Sequence, residues 1–155
     1  MGVEIERKFL VKNASWRDDA DVGVLCRQGY LVASPKLTVR VRLMGGHGFL
    51  TIKGVTNGIR RSEYEYPIPL KEAEELLNSC SFRVEKRRYR IEVEQHLWEV
   101  DVFSGANKGL ILAEVELTYE EESFMRPSWL GDEVSTDARY SNARLAQEAF
   151  LSWSK

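Results

Sequence analysis

Histidine is scarce in this chain of 155 residues: there are two, His47 and His96, isolated from each other. A histidine-built metal centre or catalytic dyad is therefore not expected. Cysteine is equally rare. Cys26 and Cys80 fall in no C-x-x-C or metal-finger spacing, so the sequence predicts two buried thiols in a reducing compartment rather than a disulfide framework. No apolar run approaches the roughly 20 residues that cross a bilayer as a helix. No signal-peptide pattern opens the sequence. The resulting expectation is a cytoplasmic protein without a membrane partner. Charge of one sign is also lacking. The net charge of −2 argues against a nucleic-acid partner, which would call for a frankly basic chain. Neither repeats nor low-complexity linkers divide the sequence, so residues 1–155 read as one domain, long enough to bury a core.

What the chain has in abundance is alternation. "VEIERKFLV" (3–11) sets Glu4, Glu6 and Lys8 at every second position. "LTVRVRL" (37–43) does the same with Thr38, Arg40 and Arg42, and "FLTIK" (49–53) with Thr51 and Lys53. "RSEYEYPI" (61–68) aligns Arg61, Glu63 and Glu65. "VEKRRYRI" (84–91) aligns Lys86, Arg88 and Arg90, "LWEVDVF" (97–103) Glu99 and Asp101, and "LAEVELTY" (112–119) Glu114 and Glu116. With "LCRQGYLV" (25–32) these make about eight strands by period-2 pattern. "SPK", "GGHG" and "TNG" supply turns between several of them. "PLKEAEELLNS" (69–79) spaces Leu70, Ala73, Leu76 and Leu77 as a helical stripe. "YEEESF" (119–124) reads as the start of a short second helix. The C-terminal "SNARLAQEAFLSWSK" reads as an amphipathic helix capped by Ser141 or Asn142. The stretch from Met125 to Tyr140 reads as loop. The fold class is α+β, mainly antiparallel β, with helices at the connections.

For a single strand, a charged face is ordinarily a wet outer face. Here nearly every strand offers paired formal charges at i and i+2, with acids and bases segregated along the chain. That ensemble points to a closed eight-stranded barrel whose lumen is charged and whose apolar outer face is covered by helices and loops. On closure, Glu4 and Glu6 of the first strand would stand beside Glu114 and Glu116 of the last. Crowded carboxylates raise one another's pKa unless cations intervene. Oxygen donors without histidine suit hard divalent ions such as Mg²⁺ or Mn²⁺. Opposite them, Arg40, Arg42, Lys53, Lys86 and Arg88 would form an anion cradle, since guanidinium forks match phosphate oxygens. Acidic and basic patches in one cavity suggest a metal-bridged polyphosphate. The run "EKRRYR" taken alone reads equally as an RNA-contacting segment or a solvated, aggregation-guarded edge. Tyr30 taken alone reads as a core or edge aromatic.

The set "EIERKFLV", "RQGYL", "VRVRL", "TIKG", "RSEYEYPI", "VEKRRY", "WEVDVF", "LAEVEL" and "EVSTDARYSNARLA" resembles, in order and over essentially the whole chain, the CYTH superfamily of triphosphate tunnel metalloenzymes, and in particular its short bacterial group. The resemblance implies a tunnel that binds a linear triphosphate with divalent metal, two Mg²⁺ or Mn²⁺ ions, and hydrolyses tripolyphosphate to pyrophosphate and phosphate. It matches Glu4, Glu6, Glu114 and Glu116 to metal carboxylates. Lys8, Arg40, Arg42, Lys53, Lys86 and Arg88 match phosphate-holding residues, with Arg61 and Arg139 as weaker matches. Glu63 matches an acid that orients a water or a basic neighbour, and Lys86 is a candidate to assist water deprotonation. The C-terminal helix matches an element that closes one mouth, with Tyr30 nearby. A homodimer is the assembly that relatives suggest. The alternatives are an adenylyl cyclase or a nucleoside or thiamine triphosphatase on the same fold, or a non-catalytic polyphosphate-binding module.

Overall fold

Alternation leaves each strand one face to bury in an apolar layer and one to line something polar. In the computed structural model, which describes residues 2–153, the alternating segments become β1 (Gly2–Val11), β2 (Val24–Ala33), β3 (Thr38–Met44), β4 (His47–Lys53), β5 (Arg60–Ile68), β6 (Phe82–Val93), β7 (His96–Phe103) and β8 (Ile111–Glu116). They run antiparallel in the order β5-β4-β3-β2-β6-β7-β8-β1, and β5 pairs back onto β1 to close the barrel. Register brings Glu6 opposite Glu116 and Lys8 opposite Glu114. It sets Glu4 opposite Arg61, Lys53 opposite Glu63 and Arg88 opposite Asp101.

The layering is inverted relative to an ordinary barrel. The charged face points inward, and two of the three apolar clusters lie outside the wall. Ile5, Phe9, Trp98, Val100, Ala113 and Val115 on the outer face of β1, β7 and β8 pack with Trp16, Leu117 and Trp129 from the covering segments. The helix α1 (Leu70–Ser79) forms after Pro69 as its stripe predicts and lays Ala73 and Leu77 against Val41 and Leu43 of β3. Its approach is close enough to require glycine beneath it, because a Cβ at Gly48 would stand 2.6 Å from the Ala73 Cβ.

Three segments differ from the sequence expectation. Residues 125–140 contain a ninth strand, β9 (Leu130–Glu133). It pairs with β1 around Phe9 and Val11, on the edge that β5 uses near Gly2–Ile5, so the long first strand is covered along that edge by two partners. The sequence "LGDE" has no period-2 signal; an unpaired edge recruits it. Gly131 permits the approach, since a Cβ there would lie 2.9 Å from the Leu10 carbonyl oxygen. Residues 119–124 form a turn instead of a helix. The Glu122 carboxylate accepts hydrogen bonds from the Thr118 N–H and hydroxyl, both 2.6 Å, and local side-chain bonds of this kind compete with helix. The C-terminal helix α2 (Asn142–Gln147) is short. The Ser141 hydroxyl caps it by accepting from the Arg144 N–H at 3.2 Å. Past Glu148 the chain turns, the Phe150 N–H donates to Asn107 Oδ1 at 2.8 Å, and a 3-10 turn spans Phe150–Ser152. Ser154 and Lys155 of the expected helix lie outside the described residues.

Candidate active site

Strand parity places Leu10, Val84, Phe103 and Leu112 on the lumen face, at the end of the barrel where α2 and the C-terminal turn pack. There they join Leu145, Tyr140, Phe150 and Trp153 in one apolar cluster. That plug covers one end of the lumen. Above it the inward residues are polar. Glu4, Arg40, Arg42, Lys53, Lys86, Arg88, Asp101 and Glu114 are all buried, while Glu6, Lys8, Arg61 and Glu63 are half-buried and Glu116 is exposed.

Buried charge is tolerated only when it is paired, and the pairs are explicit. The Lys53 ammonium donates to both Glu4 carboxylate oxygens at 3.2 Å and pairs with Glu63 at 3.2 Å. Arg61 Nε donates to Glu4 at 3.1 Å. Burial alone would raise the Glu4 carboxyl, but Lys53 and Arg61 outweigh it and bring the pKa down to about 2. Glu63 moves the other way: burial raises it more than Lys53 lowers it, and Glu4 adds repulsion. Arg88 grips Asp101 through Nε at 2.8 Å and a terminal nitrogen at 2.9 Å. It also reaches Glu114 at 3.2 Å and Glu99 at 3.3 Å. Lys86 donates to Asp101 at 2.7 Å, and burial lowers its pKa despite that carboxylate.

Strands β1 and β8 meet as the sequence predicts, and their carboxyl groups conflict. Burial first, then repulsion by Glu114 and Glu4, pushes Glu6 well above its ordinary range. Burial would raise Glu114 too, but Lys8, a hydrogen bond from Glu6 and Arg88 hold it well below. The two carboxyls are therefore pushed apart, Glu6 upward and Glu114 downward. Burial and repulsion from Glu4 and Glu63 also raise Glu116.

Among the described residues, no three acidic, histidine or cysteine side chains close into a metal-binding group on their own. The reason is visible in the ion pairs, since Lys53 and Arg61 draw Glu4 aside and Arg88 draws Glu114. The donor set still fits a hard cation. Mg²⁺ is usually held by one or two carboxylates plus substrate phosphates, not by an all-protein cage, and the repulsion that Glu114 and Glu4 exert on Glu6 is what a cation would relieve.

The basic side offers unused donors. Arg40 reaches Thr51 at 3.2 Å and Glu65 at 3.5 Å, yet its buried Nε has no partner among the described residues. Arg42 donates from Nε to Gln28 at 3.0 Å. The Lys8 ammonium donates to the Tyr140 carbonyl at 3.2 Å. The Tyr30 hydroxyl accepts from Gln28 at 3.2 Å, which ties it to the C-terminal segment through Gln28 and Asn142. Arg139 does not join them; it is exposed and pairs with Asp137 at 2.7 Å. Sequence reasoning missed the roles of Asp101, Gln28 and Asn142. Asp101 was visible as an inward residue, but its two cationic partners follow only from register. Cys26 and Cys80 are free and buried, as expected, and no described helix is long and apolar enough to cross a membrane.

Known proteins share this arrangement. The CYTH domain family matches residues 2–150. The inorganic triphosphatase of Acetivibrio thermocellus is 45% identical over 152 residues, covering 97% of both chains. That of Nitrosomonas europaea is 40% identical over 148 residues, covering 92% of this chain and 96% of the other. A solved structure of an inorganic triphosphatase superposes with a TM-score of 0.68 at 37% identity, covering 98% of this chain and 97% of that one. The chain belongs to the CYTH family, whose triphosphate tunnel members are metal-dependent.

Proposed function

We propose that this protein is a hydrolase of phosphoanhydride bonds that splits inorganic triphosphate into pyrophosphate and phosphate with the help of Mg²⁺ or Mn²⁺, two ions in the full complement. The observation that supports it best is the pair of opposed faces in one lumen: a crowded carboxylate cluster against a wall of buried arginine and lysine with unused donors. The triphosphatase relatives point to the same chemistry.

Glu4, Glu6, Glu114 and Glu116 would hold the metal. The bound metal supplies charge neutralisation and a more acidic water. Lys8, Arg40, Arg42, Lys53, Arg61 and Arg88 bind phosphate oxygens, the guanidinium groups as forks and the ammonium groups as point charges. Phosphoryl transfer asks chiefly for alignment and neutralisation of developing charge, which this cradle provides. Lys86 faces the same lumen, and its lowered pKa suits a group that holds or releases a proton at Nζ as water attacks phosphorus. Glu63 keeps the Lys53 ammonium in place through their 3.2 Å contact, and Tyr30 borders the closed end. The substrate is a small molecule. Free thiols at Cys26 and Cys80 suit the cytoplasm, and assembly as a homodimer completes the reading.

One turnover panel tests it: tripolyphosphate, thiamine triphosphate and ATP, each with Mg²⁺, Mn²⁺ or chelator. Metal-dependent phosphate release, fastest from tripolyphosphate, is expected. Cyclic AMP as the main product from ATP, or tight polyphosphate binding with no turnover under any divalent ion, overturns it.

A further inference from the structure

Two amides lie in the charged lumen, and the mechanism so far leaves them without a role. Gln28 on β2 is fully buried, and every polar atom of its side chain is engaged. Its Oε1 accepts from Arg42 Nε at 3.0 Å and from the Cys26 thiol at 3.4 Å. Its Nε2 donates to the Tyr30 hydroxyl and to Asn142 Oδ1, both at 3.2 Å. Asn142 is the first residue of α2, and the same Oδ1 accepts from Lys86 Nζ at 2.8 Å. Two donors meeting on one oxygen fix which way the Asn142 amide faces. The Ser141 cap and the packing of Leu145 fix the helix that carries it.

Lys86 is otherwise held from the β7 side alone, by Asp101 at 2.7 Å and more weakly by the face of the Phe103 ring at 5.5 Å. A flexible four-carbon stem anchored from one side can swing about that side. The Asn142 oxygen supplies a second anchor from the C-terminal segment, and Gln28 in turn anchors Asn142. The chain Tyr30–Gln28–Asn142–Lys86 thus runs unbroken from one side of the closed end to the proposed proton-handling group.

From this geometry we propose that Gln28 and Asn142 act as a paired positioning element that holds the Lys86 ammonium in its reactive place, an inference that rests on the triphosphatase reading above. Neither residue is placed against phosphate. Their loss therefore slows the chemical step and leaves substrate affinity nearly unchanged. A polar network also acts as a unit, so removing either member releases Lys86 and removing both adds little.

The test compares wild type with Asn142→Ala, Gln28→Met and the double variant, in tripolyphosphate hydrolysis with Mg²⁺. Gln28→Met keeps the length of the side chain, adds no charge beside Arg42 and loses the donor to Asn142, so it removes the amide link without emptying the wall. Expected are losses in kcat of about 10- to 100-fold in each single variant, the scale of a small misplacement of a reacting group. KM should stay within about threefold, and the double variant should lie near the worse single. Thermal melting checks that each variant is folded. The ammonium signal of Lys86 in ¹⁵N-lysine protein gives a readout independent of turnover, expected to be slowly exchanging in wild type and lost in both single variants. Wild type without phosphate release would defeat the triphosphatase reading and leave that signal to decide the positioning claim. An unchanged Lys86 signal, unchanged kcat, a loss confined to KM, or multiplicative losses in the double variant would overturn the inference.

Discussion

Replacing Asp101 with asparagine removes one charge and almost no volume from the most enclosed part of the lumen. Asp101 is 0% exposed and faces two cations, Lys86 at 2.7 Å and Arg88 at 2.8 Å. Arg88 keeps Glu114 and Glu99 in the variant, whereas Lys86 keeps only neutral partners: the Asn142 oxygen, the new amide oxygen and the face of the Phe103 ring at 5.5 Å. Stranding a buried charge by deleting its partner costs about 3–5 kcal/mol. At this chain length about 2–4 °C of unfolding temperature accompanies each kcal/mol, so the midpoint should fall by roughly 6–20 °C. The pH dependence gives a second signature. Burial alone would raise the Asp101 carboxyl, but Arg88 and Lys86 outweigh it and hold it below the usual range. A carboxyl lowered in the folded state contributes stability that is present above its unfolded value of about 3.9 and fades as pH falls toward the folded value. Wild-type and variant stabilities should therefore differ most at neutral pH and converge in acid below about pH 4. Urea unfolding from pH 3 to pH 8 measures both effects. A loss under about 1 kcal/mol at pH 7, the range of exposed pairs, would show that the triad is solvated or replaceable, and the reasoning would fail.

Other substitutions probe other parts of the account. Glu6→Gln should stabilise the metal-free protein at neutral pH, because burial and then repulsion by Glu114 and Glu4 raise the native carboxyl. The cost of ionising it accumulates as pH climbs past its unfolded value of about 4.3; melting curves from pH 4 to pH 8 that run parallel to wild type would contradict this. Gly48→Ala should lose about 1–3 kcal/mol by overpacking, since the new Cβ meets the Ala73 Cβ at 2.6 Å and the Ile68 carbonyl oxygen at 3.1 Å; an unchanged urea midpoint would mean that α1 shifts freely. Trp98→Ala should lose about 3–5 kcal/mol, because Trp98 is fully buried and its ring meets Phe9 at 5.6 Å, Phe124 at 5.7 Å and Trp129 at 5.6 Å. Less than about 1 kcal/mol would place the principal core elsewhere.

Much of the barrel was legible because its strands repeat one instruction. Glu4, Glu6, Arg40, Arg42, Lys86 and Arg88 sit at alternate positions, and period 2 survives any uncertainty in strand ends. Which face turns inward was legible only from the ensemble, since each strand alone reads as an ordinary wet sheet. β9 was hidden because pairing to the exposed edge of β1, and not side-chain pattern, makes it a strand. The turn at residues 119–124 was hidden because a single carboxylate, Glu122, satisfies Thr118 and faces His96 at 2.6 Å, which acid-rich helix propensity does not register. In the site, residue types were readable and partners were not. That Lys53 would bridge Glu4 and Glu63, or Asp101 would bind both Lys86 and Arg88, depends on register and shear. Gln28 and Asn142 carry no charge and stand 114 residues apart, so no local pattern links them.

The central claim is that the carboxylates of β1 and β8 hold a metal against the triphosphate gripped by the basic wall. The most direct measurement is Mg²⁺-dependent phosphate release from tripolyphosphate by Glu4→Gln and Glu114→Gln beside wild type, with folding verified by melting. The account predicts losses beyond the about 10- to 100-fold typical of outer-sphere partners, partly offset by raised metal concentration. Full activity in either variant at the wild-type metal requirement would contradict it.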